Sequence, residues 1–129
     1  MLHMETKQIL EGQRHGKSAM GWLGPNPQER IRQIQDGSLR MVIVFGTHAA
    51  LRFWRDQCER SLIDSGACVH LPDVRYQWPS GAEIRLEVAS SGDTRKIRGI
   101  TFTDYEMDAS IDYENRDEWQ QMLKLQTRR

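Results

Sequence analysis

The residues best suited to chemistry are Gly12, Gln13, Arg14, His15, Gly16, Lys17 and Ser18, a polar loop ending in Gly-Lys-Ser. Glycine lets the backbone turn so that successive N–H groups point at phosphate oxygens. A lysine closing such a loop supplies a point charge for the β and γ phosphates, and the next hydroxyl can ligate Mg²⁺. A helix starting there adds its N-terminal partial positive charge. His15 can donate to phosphate as a neutral imidazole or simply face solvent. The full phosphate-loop pattern has a glycine five residues before Gly16; Glu11 stands there, and Gly12 is one step late. The competing reading of the stretch is a polar surface turn.

A phosphate loop needs an acid at the end of a neighbouring strand and a carboxylate that orients the attacking water. The run from Ile97 to Asp108 is the one place in the chain that could supply both. If it is extended, Asp104, Glu106 and Asp108 point to one side. Three carboxylates there repel one another, and a cation would relieve the repulsion. The alternative is a solvated acidic strand end.

Composition sets the frame. At 129 residues the chain fits one domain spanning 1–129, with room for a core. Formal net charge is zero, so a general basic coat for nucleic acid is excluded and any such contact is confined to one face. Cys58 and Cys68 are too few for a disulfide scaffold or a zinc site, and His3, His15, His48 and His70 lack ligand spacing. The longest apolar run, 41–45, is far too short to span a bilayer, and the N-terminus lacks a signal-peptide pattern. A cytoplasmic protein with no membrane partner is expected.

The elements that must position these residues follow from periodicity. A weak strand at 6–10 leads into the glycine loop, and 19–23 fits only a short helical turn before Gly24-Pro25. Asn26, Pro27 and Glu29 form a helix start, with Ile31 and Ile34 on the buried side and Asp36-Gly37 as the stop. Met41, Val42, Ile43, Val44 and Phe45 make a strand apolar on both faces, as in the middle of a parallel sheet. Thr47 caps a helix reaching about Asp64, with Ala50, Leu51, Trp54, Cys58 and Leu62 on one stripe. Val74, Tyr76 and Trp78, then Ala82, Ile84, Leu86 and Val88, alternate with polar residues around Pro79-Ser80-Gly81. That is a hairpin with one wet face. A loop at 90–93 and a short β-prone run at 100–103 follow. A helix from about Asn115 carries Trp119, Met122 and Leu123. Trp54, Trp78 and Trp119 fall on apolar faces; Trp22, between glycines, either packs over the phosphate loop or is exposed and stacks on an adenine.

In this order the motifs resemble the ATPase domain of phage terminase large subunits. The glycine loop comes first. "MVIVFGTHAALRFWRDQ" is similar to that family's strand, threonine turn and helix, and "YQWPSGAEIRLEV" to its hairpin. "IRGITFTDYEMDAS" is similar to the segment leading to its second acidic motif, and "EWQQMLKLQTRR" to the helix that follows. The resemblance implies an α/β P-loop NTPase-like sheet of RecA or terminase type. It would be of reduced size and mostly parallel, with a β-hairpin and helices on both faces. It implies ATP and Mg²⁺ as cofactors, with Lys17 on phosphate and Ser18 helping to hold the metal. The second metal acid is Asp108 by the count from Arg98-Gly99, which carries more weight, or Asp104 by strand hydrophobicity. Glu106 stands in for the catalytic glutamate, since that family's position holds Ala109. Implied partners are double-stranded DNA, the portal and small terminase packaging subunits, and further copies of the chain, in a host cytoplasm. Arg95, Lys96 and Arg98 are candidates for an arginine finger or a DNA-backbone contact, against a solvated loop. The rival is a non-enzymatic interaction module with a degenerate phosphate loop, favoured by Glu11, the Gly24-Pro25 break and Ala109. A stand-alone nuclease would need clustered acids on separate strands, which the chain lacks.

Overall fold

The computed structural model describes residues 21–89 and 99–127. The strand expected at 6–10, the loops at 12–18 and 90–93, and Arg95, Lys96 and Arg98 lie outside the described residues. A 3₁₀ turn, Gly21–Leu23, opens the described chain and leads into helix α1, Pro27–Asp36. Asn26 caps α1 by accepting the Glu29 N–H at 3.3 Å, Pro27 takes the first position, and Gly37 closes it at φ +80°. The reciprocal half of a capping box is not made, because the Glu29 carboxylate pairs with Arg32 instead.

Strand β1, Arg40–Phe45, is buried from Met41 onward. Helix α2, His48–Asp64, starts where Thr47 Oγ1 accepts the Ala50 N–H at 3.0 Å. Strands β2 (Cys68–His70), β3 (Arg75–Gln77) and β4 (Glu83–Val88) follow, then β5 (Asp104–Met107) and helix α3 (Tyr113–Gln126). Helix α3 starts at Tyr113, two residues before the start read from sequence, and Asp112 caps it by accepting the Asn115 N–H at 2.9 Å.

The five strands lie in the order β2-β3-β4-β1-β5. β1 is parallel to both neighbours, β4 and β5, while β2, β3 and β4 are antiparallel. The described sheet is therefore mixed rather than mostly parallel. The reason is local: a tight turn joins only antiparallel strands, and β2 extends the hairpin by another.

Pleating sorts β1 into two cores. Met41, Ile43 and Phe45 pack with Ile31 and Ile34 of α1 and with Leu51, Cys58 and Leu62 of α2. Val42 and Val44 face the other way, onto Phe102, Ile111, Trp119 and Leu123. Helices thus cover both faces of the sheet. Trp22 is fully buried, stacked on Trp78 at 6.0 Å between ring centroids, with its Nε1 donating to Ser61 Oγ at 3.2 Å. The alternative in which Trp22 stacks on a base is overturned, since the ring is already spent on the core. The expected wet face of the hairpin is also covered: Glu83 and Glu87 are buried. Gln77 donates to Glu83 at 2.8 Å, which compensates part of the desolvation.

Candidate functional site

The acidic segment is the part of the predicted site within the described residues. Its strand begins at Asp104 and ends at Met107, later than the β-prone run at 100–103. Phe102 instead makes a single bridge to Thr127 and buries its ring under α3. β5 forms despite its carboxylates because β1 offers a parallel edge: Met41 faces Asp104, Val42 faces Tyr105, and Ile43 faces Glu106. Register partners share a side, so Asp104 and Glu106 face the α1/α2 layer with Met41 and Ile43. Asp108, past the strand's end, reaches that layer as well, lining a cleft with Phe45, Trp54 and Cys58.

The three carboxylates nevertheless open onto different spaces. Asp104 and Glu106 line a cavity of about 640 Å³ with Asn26, Glu29, Arg30 and Gln33 of the α1 N-terminal region. Asp108 lines a separate cleft of about 420 Å³ between the end of β1 and the first half of α2. Phe53, two-thirds exposed, is on its wall, and Gly21 closes it. Asp104 lies at the amino end of β5 and Asp108 just beyond its carboxyl end, about 13 Å apart for four extended residues. Crevices at the carboxyl ends of parallel strands are where open α/β sheets take ligands, and only Asp108 of the two sits there.

Electrostatics separates the roles further. Burial raises the Glu106 carboxyl above the usual carboxylate range; Arg30 draws it back, and Asp104 and Asp108 add repulsion. Burial thus disfavours the charged form of Glu106, while the Arg30 charge offsets part of that cost. Among the described residues no group of three His, Cys, Asp or Glu side chains is placed to hold a metal ion alone. A divalent ion here would need oxygens from elsewhere, such as Ser18 and a bound phosphate.

Asp108 is held through both its backbone and its carboxylate. Its N–H donates to Val44 O at 2.8 Å, and its carbonyl accepts from Ile111 N–H at 3.1 Å. Arg116 Nη2 donates to the same carbonyl at 3.2 Å. Ser110 N–H donates to Asp108 Oδ2 at 3.0 Å, and among the described residues Oδ1 accepts no hydrogen bond. A hard carboxylate oxygen held beside an open cleft fits Mg²⁺, which takes one or two carboxylates and keeps its waters. Sequence reading missed Ser110 and Gly46, the anchors of this loop. The signal was a glycine between strand and helix-capping threonine, whose partner 64 residues on is invisible in one dimension.

Thr47 serves as a helix cap, as expected. Cys58 is buried in the cleft wall, and burial pushes its thiol up to about 11. Burial thus disfavours its reactive thiolate form. Among the described residues no helix is long and apolar enough to cross a membrane. No family model, curated protein or solved structure matches this chain.

Proposed function

We propose that this chain is a nucleotide-binding domain that takes MgATP at the carboxyl end of β1 and β5. Lys17 would contact the β and γ phosphates, and Ser18 and Asp108 would hold the ion. A bound Mg²⁺ supplies neutralisation of phosphate charge. The observation that carries the reading is the place of Asp108. It follows a parallel strand next to β1 and lines the cleft that Gly21 also lines. Ser18 precedes Gly21 by three residues in the chain. Asp104 has no such support, because its cavity lies at the other end of β5.

The resemblance to terminase motors extends the proposal to a role in packaging double-stranded DNA with portal and small-subunit partners. Only the order of motifs supports that extension. Hydrolysis is the weaker half of the reading. Glu106, the substitute base, opens onto the cavity beside Arg30 rather than onto the cleft of Asp108, and Ala109 cannot act as a base. This specific disjunction favours the second reading, a non-enzymatic interaction module with a degenerate phosphate loop.

Differential scanning of the full chain with and without MgATP tests the proposal. At a hundredfold excess over Kd a single site adds about 2.7 kcal/mol. For a domain of this size that raises the melting temperature by roughly 10 °C. No shift in the wild type, with Lys17→Ala indistinguishable from it, leaves the non-enzymatic module.

A further inference from the structure

We infer that the α2 wall of the Asp108 cleft seats a nucleobase, with Phe53 as the stacking surface and Gln57 reading the edge of an adenine. The inference rests on the nucleotide reading above and names the base which that site prefers.

The wall follows from the helix period. Ala50, Phe53, Trp54 and Gln57 stand at i, i+3, i+4 and i+7 of α2 and line the cleft together, with Phe45 from the end of β1. Two of the three aromatic rings are committed to the core. Trp54 meets Phe45 edge-on at 6.2 Å and lies 6.1 Å from Tyr76. Phe53 is two-thirds exposed and has no ring partner among the described residues. An aromatic face left in water on the wall of a cleft is a platform for another flat ring, and every base has such a face.

The cleft, about 420 Å³, falls in the size range of small-molecule sites. Its lining side chains are apolar apart from Gln57 and Asp108. The ligand that fits has a flat apolar body with a few hydrogen-bonding atoms at its edge. Gln57 lies one turn after Phe53, on the same side of the helix. Its amide makes no hydrogen bond among the described residues. One amide oxygen and one N–H together match the N6 donor and N7 acceptor of adenine. Guanine presents two acceptors at that edge, so its O6 would meet the amide oxygen. Asp108 comes from the β5 side of the cleft, which leaves the α2 wall to the base.

The test uses the full chain and probes that carry neither phosphate nor metal. Binding of adenosine, guanosine and indole is followed by ligand-observed NMR titration, and MgATP binding by calorimetry. Wild type is expected to take adenosine about tenfold more tightly than guanosine. Phe53→Ala should weaken adenosine about tenfold, while Phe53→Tyr, which keeps the ring, retains the wild-type affinity. Gln57→Ala should bring adenosine and guanosine level. Adenosine binding that is unchanged in Phe53→Ala overturns the inference, and so does a wild type that does not distinguish the two nucleosides. A wild type that binds MgATP but no adenosine overturns it while leaving the nucleotide reading intact. If neither MgATP nor adenosine binds, both fall. Indole binding that is lost in Phe53→Ala would then mark the cleft as the seat of an apolar side chain from a partner protein.

Discussion

Glu106 shows how a single side chain can be read from its surroundings. Its carboxyl lies above the ordinary value of 4.5 chiefly because burial disfavours the charge. The folded protein therefore holds a proton that the unfolded chain releases more readily. This stabilises the fold at low pH, and the contribution is lost as pH rises from 4.5 through the folded value. Glu106→Gln mimics the protonated form at every pH. Urea unfolding should find the variant more stable than wild type at pH 8 and equal to it near pH 4. An equal difference at both values contradicts the assignment. The two cysteines make a second contrast. Cys68 is exposed, while Cys58 is buried with its thiol raised to about 11. A thiol reagent at pH 7.5 should label Cys68 and spare Cys58 until the protein unfolds. Mass spectrometry of the native protein showing Cys58 modified first would refute this.

Local chemistry made the helices legible. Asn26, Thr47 and the glycine after Asp36 act within a turn of themselves, so sequence alone locates α1 and α2 almost to the residue. The strands were less readable. β2 was missed because three residues, Cys-Val-His, carry no periodicity. β5 was placed too early because Asp104 and Glu106 read as polar, whereas its stability comes from pairing with β1. Alternation in the hairpin gave the faces correctly but not the burial of Glu83 and Glu87, which depends on distant packing. The candidate site divides the same way. Asp108 was reachable by counting, while its separation from Glu106 into another cavity is a three-dimensional fact. Two element-level outcomes follow. Thr47→Ala removes the cap of α2 and should cost about 1 kcal/mol. Gly46→Ala forces a methyl group into the Ser110 carbonyl and should cost about 1–3 kcal/mol. Chemical denaturation measures both; a neutral Gly46→Ala would mean that the two turns are not held together as described.

At the scale of the whole molecule, the described residues form one mixed sheet with two helices on one face and one on the other, and β1 is buried between them. That arrangement brings the ends of β1 and β5 together under the start of α2, with Gly21 closing the cleft. The central claim is that this end of the sheet receives the phosphates of MgATP with Lys17 and Asp108 as partners. Calorimetric titration of MgATP into wild type, Lys17→Ala and Asp108→Asn is its most direct test. Saturable binding in the wild type is predicted, strongly weakened in Lys17→Ala. In Asp108→Asn the metal-dependent part of the affinity should be lost while binding of metal-free ATP remains. Equal affinities in all three proteins, or no heat in any of them, would contradict the account.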